Sequence, residues 1–357
     1  MENIACCSCW EECCLTGECT APEYKPFCAT AKNMSRGINF LKKGELLLID
    51  GNNFLYRAFY AYPPMTGLGN VPTNAVYGTL RMLESLIPKV KPTHLAVCFD
   101  ASRESFRNRL YKNYKGNRKG APPELIPQFN LIREVLKALN ILYLESPEYE
   151  ADDLIGTVAQ KAAGYLTRIA TGDRDCLQMI NHRIRVLYYR KGGYIELTPE
   201  MMEQEFGYPP HHVVPLKALA GDTSDNIHGA PGIGEKTALN LIRQHINLTK
   251  ILAVEIPGKT GEIIKEYAED IRLSQKLATI KCDCPLPLGL DDLKLNIDEE
   301  KGSEKLLRLG IKSINLSKFT AKAETQTPEE TRRKEEIKPK KSEPELVQMD
   351  FSALFGW

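Results

Sequence analysis

From residue 46 onward, short apolar runs alternate with longer segments in which apolar residues recur every three or four positions. The runs LLLI (46–49), HLAVCF (94–99), ILYL (141–144) and RIAT (168–171) have the length of buried strands. The segments AVYGTLRMLESLI and LIPQFNLIREVLKALN have the period of amphipathic helices. This alternation predicts an α/β fold with a mostly parallel sheet flanked by helices on both faces.

The pattern changes twice along the rest of the chain. Beyond about residue 200 it turns helical, and beyond Phe319 the composition shifts to Lys, Glu, Thr and Pro, which is typical of a solvated tail. We therefore expect four regions: an N-terminal extension over 1–43, a sheet domain over 44–200, a helical domain over 201–319 and a disordered charged tail over 320–357.

Acidic residues follow the predicted strands. Asp50 and Asp100 come directly after the first two strands, and Asp173 and Asp175 follow the fourth. In an open sheet of this kind the functional site lies beyond the carboxyl ends of the strands, so these side chains should meet at one edge. With the clusters EADD and GDTSD, the acids expected there are Asp50, Asp100, Glu150, Asp152, Asp153, Asp173, Asp175, Asp222 and Asp225.

Each acid also has an ordinary structural explanation, as a helix N-terminal charge or a turn former. Nine carboxylates facing one cleft, however, could not all stay ionised without bound cations. Oxygen ligands without His or Cys favour Mg²⁺, with Mn²⁺ as a substitute, and two such ions about 3.5–4 Å apart suit phosphodiester hydrolysis. We expect Asp100, Glu150, Asp152 and Asp173 around the first ion with Asp50 close behind, and Asp175, Asp222 and Asp225 around the second.

Composition bounds the class of protein. The chain has 357 residues, 43% hydrophobic and 26% charged, with a net charge of +1, so any nucleic-acid surface must be local. Without a long apolar run or a signal peptide, a cytoplasmic protein without membrane contact is expected. Seven of the eleven cysteines lie before residue 29. We expect this segment to be a disordered or spurious extension, with translation starting at Met34. A small zinc site is the alternative.

Two segments have the character of nucleic-acid contacts. The first follows Asp100 and interleaves basic with aromatic residues, which can neutralise phosphates and stack on bases. Its residues include Arg103, Phe106, Arg107, Arg109, Tyr111, Lys112, Tyr114, Lys115, Arg118 and Lys119. The second, APGIGEKTALNLI, places Gly232, Gly234 and Lys236 at a helix N-terminus, where backbone N–H groups can approach a phosphate without reading sequence.

These motifs, in this order, resemble the 5′-nuclease family, which includes the flap endonucleases and the 5′→3′ exonuclease domain of bacterial DNA polymerase I. The matching stretches are LLLIDGNNFLYRAFYA, VCFDASRESFRNRLYKNYKGNR, YEADDLIG, TGDRDCLQ and ALAGDTSDNIHGAPGIGEKTA, which span roughly residues 44–318. The resemblance implies a PIN-like nuclease domain, a helical arch above the active site and a C-terminal helix-three-turn-helix (H3TH) subdomain that grips duplex DNA with a bound K⁺.

By position, the resemblance also implies roles for basic residues. Arg107 and Lys115 correspond to arch residues that steer the scissile phosphate, and we expect them to be catalytic. Arg57 corresponds to a further phosphate contact, and Tyr56 or Tyr60 to a stacking partner for a terminal base. The expected DNA-binding residues are Arg57, Arg103, Tyr111, Tyr114, Arg118, Gly232, Gly234 and Lys236.

The function expected from these features is a stand-alone, monomeric 5′→3′ exonuclease and flap endonuclease. Its expected partners are DNA with 5′ flaps or nicks, RNA–DNA primer junctions and, through the terminal peptide QMDFSALF, a sliding clamp; the alternative for that peptide is docking on its own domain. A non-catalytic DNA-junction binding protein is the second interpretation, although a pure binder has no use for so many acids beside phosphates. A ribonuclease acting on RNA alone is the third.

Overall fold

The computed structural model of the protein describes residues 43–101, 104–190, 193–245 and 247–320. The N-terminal cysteines, with their zinc-site alternative, and the terminal peptide expected to bind a clamp lie outside the described residues. So does Arg103.

Six strands in the described part of the chain form one sheet. Their order is β3-β2-β1-β4-β5-β6, with the first five parallel and β6 antiparallel to β5. Apolar residues fill the central strand β1, where Ile49 pairs with Val97 on one side and Ala170 on the other. The strands are β1 (Gly44–Asp50), β2 (His94–Asp100), β3 (Leu142–Ser146), β4 (Tyr165–Thr171), β5 (Ile184–Arg190) and β6 (Gly193–Leu197).

Helices cover both faces of this sheet, because successive side chains of β1 point to opposite sides. Leu47 and Ile49 pack with the first, second and fourth helices, whereas Leu46 and Leu48 pack with the fifth helix and the C-terminal helices. The helices are α1 (Gly51–Ala61), α2 (Asn74–Val90), α3 (Phe106–Leu110), α4 (Ile126–Ala138), α5 (Ala151–Lys161), α6 (Pro199–Phe206), α7 (Val213–Ala220), α8 (Glu235–His245), α9 (Leu248–Ala253), α10 (Gly258–Glu266), α11 (Ala268–Ala278) and α12 (Glu299–Arg308).

The sequence pattern did not predict β5 and β6. These strands form a hairpin in which Arg190 pairs with Gly193 and Tyr188 with Ile195. Their burial does not alternate strictly: β6 is buried at four of its five positions. A short strand at the sheet edge with this mixed pattern carries little periodic signal.

Two further features differ from the expected architecture. In the segment expected to form a helical arch, the described residues are helical only over Phe106–Leu110, and turns follow over 112–117. Lys115 has a φ of 53°, a left-handed conformation that interrupts a helix. The last described segment, with Leu306 and Phe319, packs on the face of the sheet opposite the other C-terminal helices and not within the expected 201–319 domain.

In the described ranges, no helix combines the length and apolar character that crossing a lipid bilayer requires.

Stability should fall in mildly acidic solution because of His212. Its ring is buried, its Nδ1 has no hydrogen-bond partner among the described residues, and burial, with His211 and Arg243 nearby, lowers the pKa to about 4. Between pH 6.5 and pH 4 the unfolded chain therefore takes up this proton more readily than the folded one. From pH 7 to pH 5, urea unfolding should show the wild type losing about 1 kcal/mol more than His212→Gln, allowing for solvent screening. Parallel pH profiles would contradict this.

Candidate active site

The strand ends bring the predicted acids to one edge of the sheet. Asp50 and Asp100 are the last residues of β1 and β2, and Asp173 lies two residues beyond β4. Glu150 caps α5, and Asp152 lies in its first turn. The side chains interact electrostatically: Asp173 and Asp100 raise the pKa of Asp50.

Backbone and side-chain donors hold these carboxylates in place. Thr171 Oγ1 donates to Asp50 Oδ2 at 2.7 Å, and the backbone N–H of Asn53 donates to Asp50 Oδ1 at 2.9 Å. Asp100 accepts from the Asn52 amide at 2.9 Å and from the backbone N–H of Ala151 at 2.8 Å. Asp100 thus ties the residues after β1 to the start of α5.

Burial raises the pKa of several of these acids. Burial, with the charges of Asp173 and Asp100, raises the pKa of Asp50 to about 6. The same cause, together with Asp173, raises the pKa of Asp175 to about 7. Asp152 has its pKa raised well above the usual range by burial and by Asp173 and Asp50. Each shift arises first from burial, which disfavours the charged form, and then from the like charge of neighbouring carboxylates.

Basic side chains pair with four acids of this edge, among them Asp175. Lys115 Nζ lies 2.6 Å from Glu150, Arg118 pairs with Asp225, and Lys217 pairs with both Asp175 and Asp222. Burial would raise the pKa of Asp222, but the hydrogen bond and charge of Lys217 outweigh burial and lower it to about 2. For Glu150, Lys115 and Arg107 outweigh burial and lower the pKa.

Four acids have no such partner. Among the described residues, none of Asp50, Asp100, Asp152 and Asp173 forms an ion pair with a Lys, Arg or His side chain. The described part of the chain also holds no group of three or more Cys, His, Asp or Glu side chains already arranged around one ion position. The edge therefore combines a paired and an unpaired set of carboxylates.

Asp153 and Arg107 occupy positions that differ from the expected ones. Asp153 is fully buried, and its two oxygens accept from both terminal nitrogens of Arg107 and from the backbone N–H groups of Glu150 and Lys281. With its lone pairs used in this way, Asp153 is a structural acid and not a metal ligand in this arrangement. Arg107 is 3% exposed and points into the protein, so it is not placed to steer a phosphate.

Three residues of the basic segment contact the acids, and one of them, Tyr114, is too buried to stack on a base as expected. Tyr114 is buried, with its hydroxyl 3.2 Å from both Glu150 and Asp225. Lys115 reaches the same two acids, and Arg118 reaches Asp225. Tyr111 is placed farther along, with its hydroxyl 3.1 Å from His228 Nε2.

Arg57 lies on α1 and is held by several groups. Its guanidinium carbon lies 3.6 Å from the centre of the Tyr189 ring, and its nitrogens donate to Tyr194 Oη at 2.7 Å and to Asn53 Oδ1. Of the two tyrosines expected to stack on a base, Tyr60 is 72% exposed, while Tyr56 packs edge-on against Phe129.

The loop between α7 and α8 carries the other expected contacts. Gly232, Gly234 and Lys236 are exposed, and Gly232 has a φ of 80°. The loop is closed at its base by reciprocal backbone hydrogen bonds between Asp222 and Ile227. Asp222, Gly232 and Gly234 line the same surface depression.

Sequence reasoning missed several polar residues of the site, including Lys217, Asn52, Asn53, Thr171 and Cys176. Lys217 pairs with two acids, and the Cys176 thiol donates to Asp152 Oδ1 at 3.2 Å. The one available signal was spacing: Lys217 lies on a predicted helix five residues before Asp222. The others show no pattern that separates them from ordinary turn or core residues.

The fold and its acidic edge define a hydrolase of the nuclease class. The family model described as the N-terminal resolvase-like domain of 5′-3′ exonuclease matches residues 45–207, and the model of the C-terminal SAM fold of 5′-3′ exonuclease matches residues 208–302. The chain belongs to the 5′-3′ exonuclease family.

Curated relatives agree with this. The protein named 5′-3′ exonuclease from Bacillus subtilis is 38% identical over 294 residues, covering 79% of this chain and 99% of that protein. DNA polymerase I of Bacillus caldotenax is 41% identical over 295 residues, covering 81% of this chain but only 33% of the polymerase. The chain thus spans about a third of the length of its DNA polymerase I relatives.

Solved structures share the fold. A structure titled as divalent zinc ions bound to T5 5′-exonuclease aligns with a TM-score of 0.58 at 20% identity, covering 74% of this chain and 99% of that one. Flap endonuclease-1 from Methanococcus jannaschii aligns with a TM-score of 0.52 at 16% identity, covering 79% and 94%. These likenesses support the PIN-like sheet and the helical C-terminal part.

Close backbone packing at Gly229 should make the loop between α7 and α8 sensitive to a single methyl group. A Cβ at Gly229 would lie 2.3 Å from the backbone of Ala220 and Gly221. We expect Gly229→Ala to lower the free energy of unfolding by about 1–3 kcal/mol in denaturant titrations, because backbone must move.

Gly234 in the same loop is the matched control. A Cβ there meets no atom within 4 Å, so Gly234→Ala should stay within about 1 kcal/mol of the wild type. Equal losses in the two variants would show that the close approach at Gly229 is unimportant.

Proposed function

We propose that the protein is a 5′→3′ exonuclease and 5′-flap endonuclease that hydrolyses phosphodiester bonds of DNA and of RNA primers, with two divalent metal ions. The observation that carries this is the division of the acids at the sheet edge. Four carboxylates, of which Asp50 is buried and the other three are half-buried, have no cationic partner in the described residues, and they lie beside four that are paired with Lys or Arg.

The donor set fits divalent ions with a preference for oxygen. Burial raises the pKa values of Asp50 and Asp152, and the charge of neighbouring carboxylates, which a cation would relieve, raises them further. Asp100, Glu150, Asp152 and Asp173 would hold the first ion with Asp50 behind them, and Asp175, Asp222 and Asp225 the second. Mg²⁺, with Mn²⁺ as a substitute, matches such carboxylates, and when bound it supplies an activated water and stabilises the leaving oxygen.

The protein's own side chains bind and orient the phosphate. Lys115 and Arg118 lie over the acids with their charges close to Glu150 and Asp225, so a phosphate held at the acids would lie within their reach. Lys115 has a left-handed backbone and its side chain reaches Glu150, and such a conformation is often kept where function requires it. Arg57 supplies a further positive charge on the side of β5 and β6.

The exposed loop at Gly232 and Gly234 supports binding of duplex DNA through its backbone. Its N–H groups and the N-terminus of α8, with Lys236, offer a phosphate a site that reads no sequence. The same proposal includes a K⁺ ion bound at this loop. It also includes 5′ flaps, nicks and primer junctions as substrates, a monomeric state and a cytoplasmic location.

The alternative, a non-catalytic junction-binding protein of the same fold, is disfavoured by electrostatics. Unpaired carboxylates would repel the phosphates that a binding protein must hold, and burying them even in part costs stability. A protein without catalysis would gain by replacing them.

Removal of metal or of one unpaired acid should abolish cleavage. A labelled 5′-flap duplex incubated with Mg²⁺ should be cut near the junction, whereas chelator or Asp173→Ala should lower the single-turnover rate by at least about 10³-fold, because charge stabilisation is a large part of such catalysis. Duplex binding measured in Ca²⁺ should persist in the variant. Unchanged cleavage with chelator would refute the proposal.

Lys115 should matter through its position, not through charge alone. We expect Lys115→Ala to lower the single-turnover rate by about 10²-fold, since a fixed cation near the reacting phosphate is lost. Lys112, an exposed lysine three residues earlier, is the matched control, and Lys112→Ala should change the rate less than threefold. Similar losses in both variants would mean that the segment acts only as a general basic surface.

A further inference from the structure

We infer that Arg107 and Asp153 form a buried positioning pair that sets the two groups of metal-binding acids relative to each other. In this inference Arg107 acts within the protein and does not contact DNA. This inference rests on the proposed function, because it concerns the acids assigned there to the metal ions.

The contacts of Arg107 define the pair. Its Nη1 lies 2.6 Å from Asp153 Oδ2 and its Nη2 lies 2.8 Å from Asp153 Oδ1, a bidentate arrangement. Its Nε donates to the carbonyl of Leu277 at 2.8 Å, and Nη2 donates to the carbonyl of Thr279 at 2.8 Å. The side chains of Arg107 and Asp153 are 3% and 0% exposed.

These bonds join three segments that are distant in sequence. Arg107 belongs to α3 at the base of the basic segment, Asp153 to the first turn of α5, and Leu277 and Thr279 to the end of α11 and the residue after it. Asp153 adds a bond of its own to the last segment, accepting from the backbone N–H of Lys281 at 2.8 Å. One ion pair therefore fixes the relative positions of all three.

On one side, the pair positions the acids of α5. Asp153 accepts from the backbone N–H of Glu150 at 3.1 Å, and Ser105, which caps α3, donates to Glu150 Oε1 at 2.9 Å. Movement of α3 or of the Asp153 side chain would shift the first turn of α5. Glu150 and Asp152 lie in or beside that turn and would shift with it.

On the other side, the pair reaches the acids of the helical part. α11 packs in the same hydrophobic core as α7, which carries Lys217. Ser274 of α11 also donates to the carbonyl of His228, in the loop that carries Asp222 and Asp225. Anchoring the end of α11 to α5 therefore holds Asp222 and Asp225 at a defined distance from Glu150 and Asp152.

A surface arginine would not have these properties. An exposed phosphate-binding arginine keeps its donors available, whereas the Arg107 donors contact Asp153 and two carbonyl groups. Because the pair is buried, taking it apart to reach a substrate would leave an unpaired buried carboxylate, which is costly. The geometry thus assigns Arg107 a positioning role.

The test compares Arg107→Met with the wild type by two separate readouts. Binding of Mn²⁺, followed by the loss of the free-ion EPR signal, should weaken at least tenfold, and kcat on a 5′-flap duplex should fall at least tenfold. KM for the flap and the Kd of duplex DNA in Ca²⁺ should stay within about twofold. Arg107→Lys keeps a charge for Asp153 but cannot bond both carbonyls. Its Mn²⁺ affinity and kcat should therefore lie between those of the wild type and of Arg107→Met.

Two further variants separate positioning from folding. Arg168→Met removes another largely buried arginine, which pairs with Glu45 and Glu196 in the sheet away from the acids; it should lower the Tm without changing Mn²⁺ affinity or kcat. The double variant Arg107→Met with Asp153→Asn removes both charges and should regain Tm relative to Arg107→Met, while Mn²⁺ affinity and kcat stay low.

Each result decides the question. A tenfold loss of duplex affinity with normal Mn²⁺ binding would place Arg107 on the DNA and overturn the inference. Effects of Arg107→Met equal to those of Arg168→Met, or full recovery of Mn²⁺ affinity in the double variant, would reduce the pair to general stability. If the wild type itself neither binds Mn²⁺ nor cuts the flap, the proposed function fails instead.

Discussion

Repulsion among carboxylates at the carboxyl edge of the sheet is the constraint on which the site depends. Asp50, Asp152 and Asp175 are buried close to Asp173, and burial and like charge raise their pKa values together. An arrangement of this kind costs stability unless cations compensate it. Lys and Arg side chains compensate part of the set, and the proposed metal ions compensate the rest.

Compensation comes from segments that are far apart in the chain. Lys115 and Arg118 reach the acids from the basic segment, while Lys217 reaches them from α7. The same side chains are thus part of folding and of the proposed chemistry. Because Asp222 and Asp225 lie in the helical part, the way that this part packs on the sheet also determines where these two acids lie.

Much of the architecture followed from periodicity. The four predicted strands correspond to β1 to β4, since each is an apolar run with a polar residue at or near its end, and the acids at those ends were placed together for the same reason. The hairpin of β5 and β6 did not follow, because burial there does not alternate with a clear period. The limited helix in the basic segment did not follow either, because the turn at Lys115 depends on contacts with Glu150 and Asp225.

Sequence by itself determined that the chain forms a parallel sheet with acids at its carboxyl edge, because strand length, apolar runs and the residues after them are local properties. Only the tertiary structure decided which acid does what. Asp152 and Asp153 are adjacent and alike in sequence, but neighbours on a helix point about 100° apart. Asp152 therefore lies among carboxylates, while Asp153 contacts Arg107 and the backbone N–H of Lys281. These two partners are 46 and 128 positions away from Asp153 in the chain, so no local pattern reveals them.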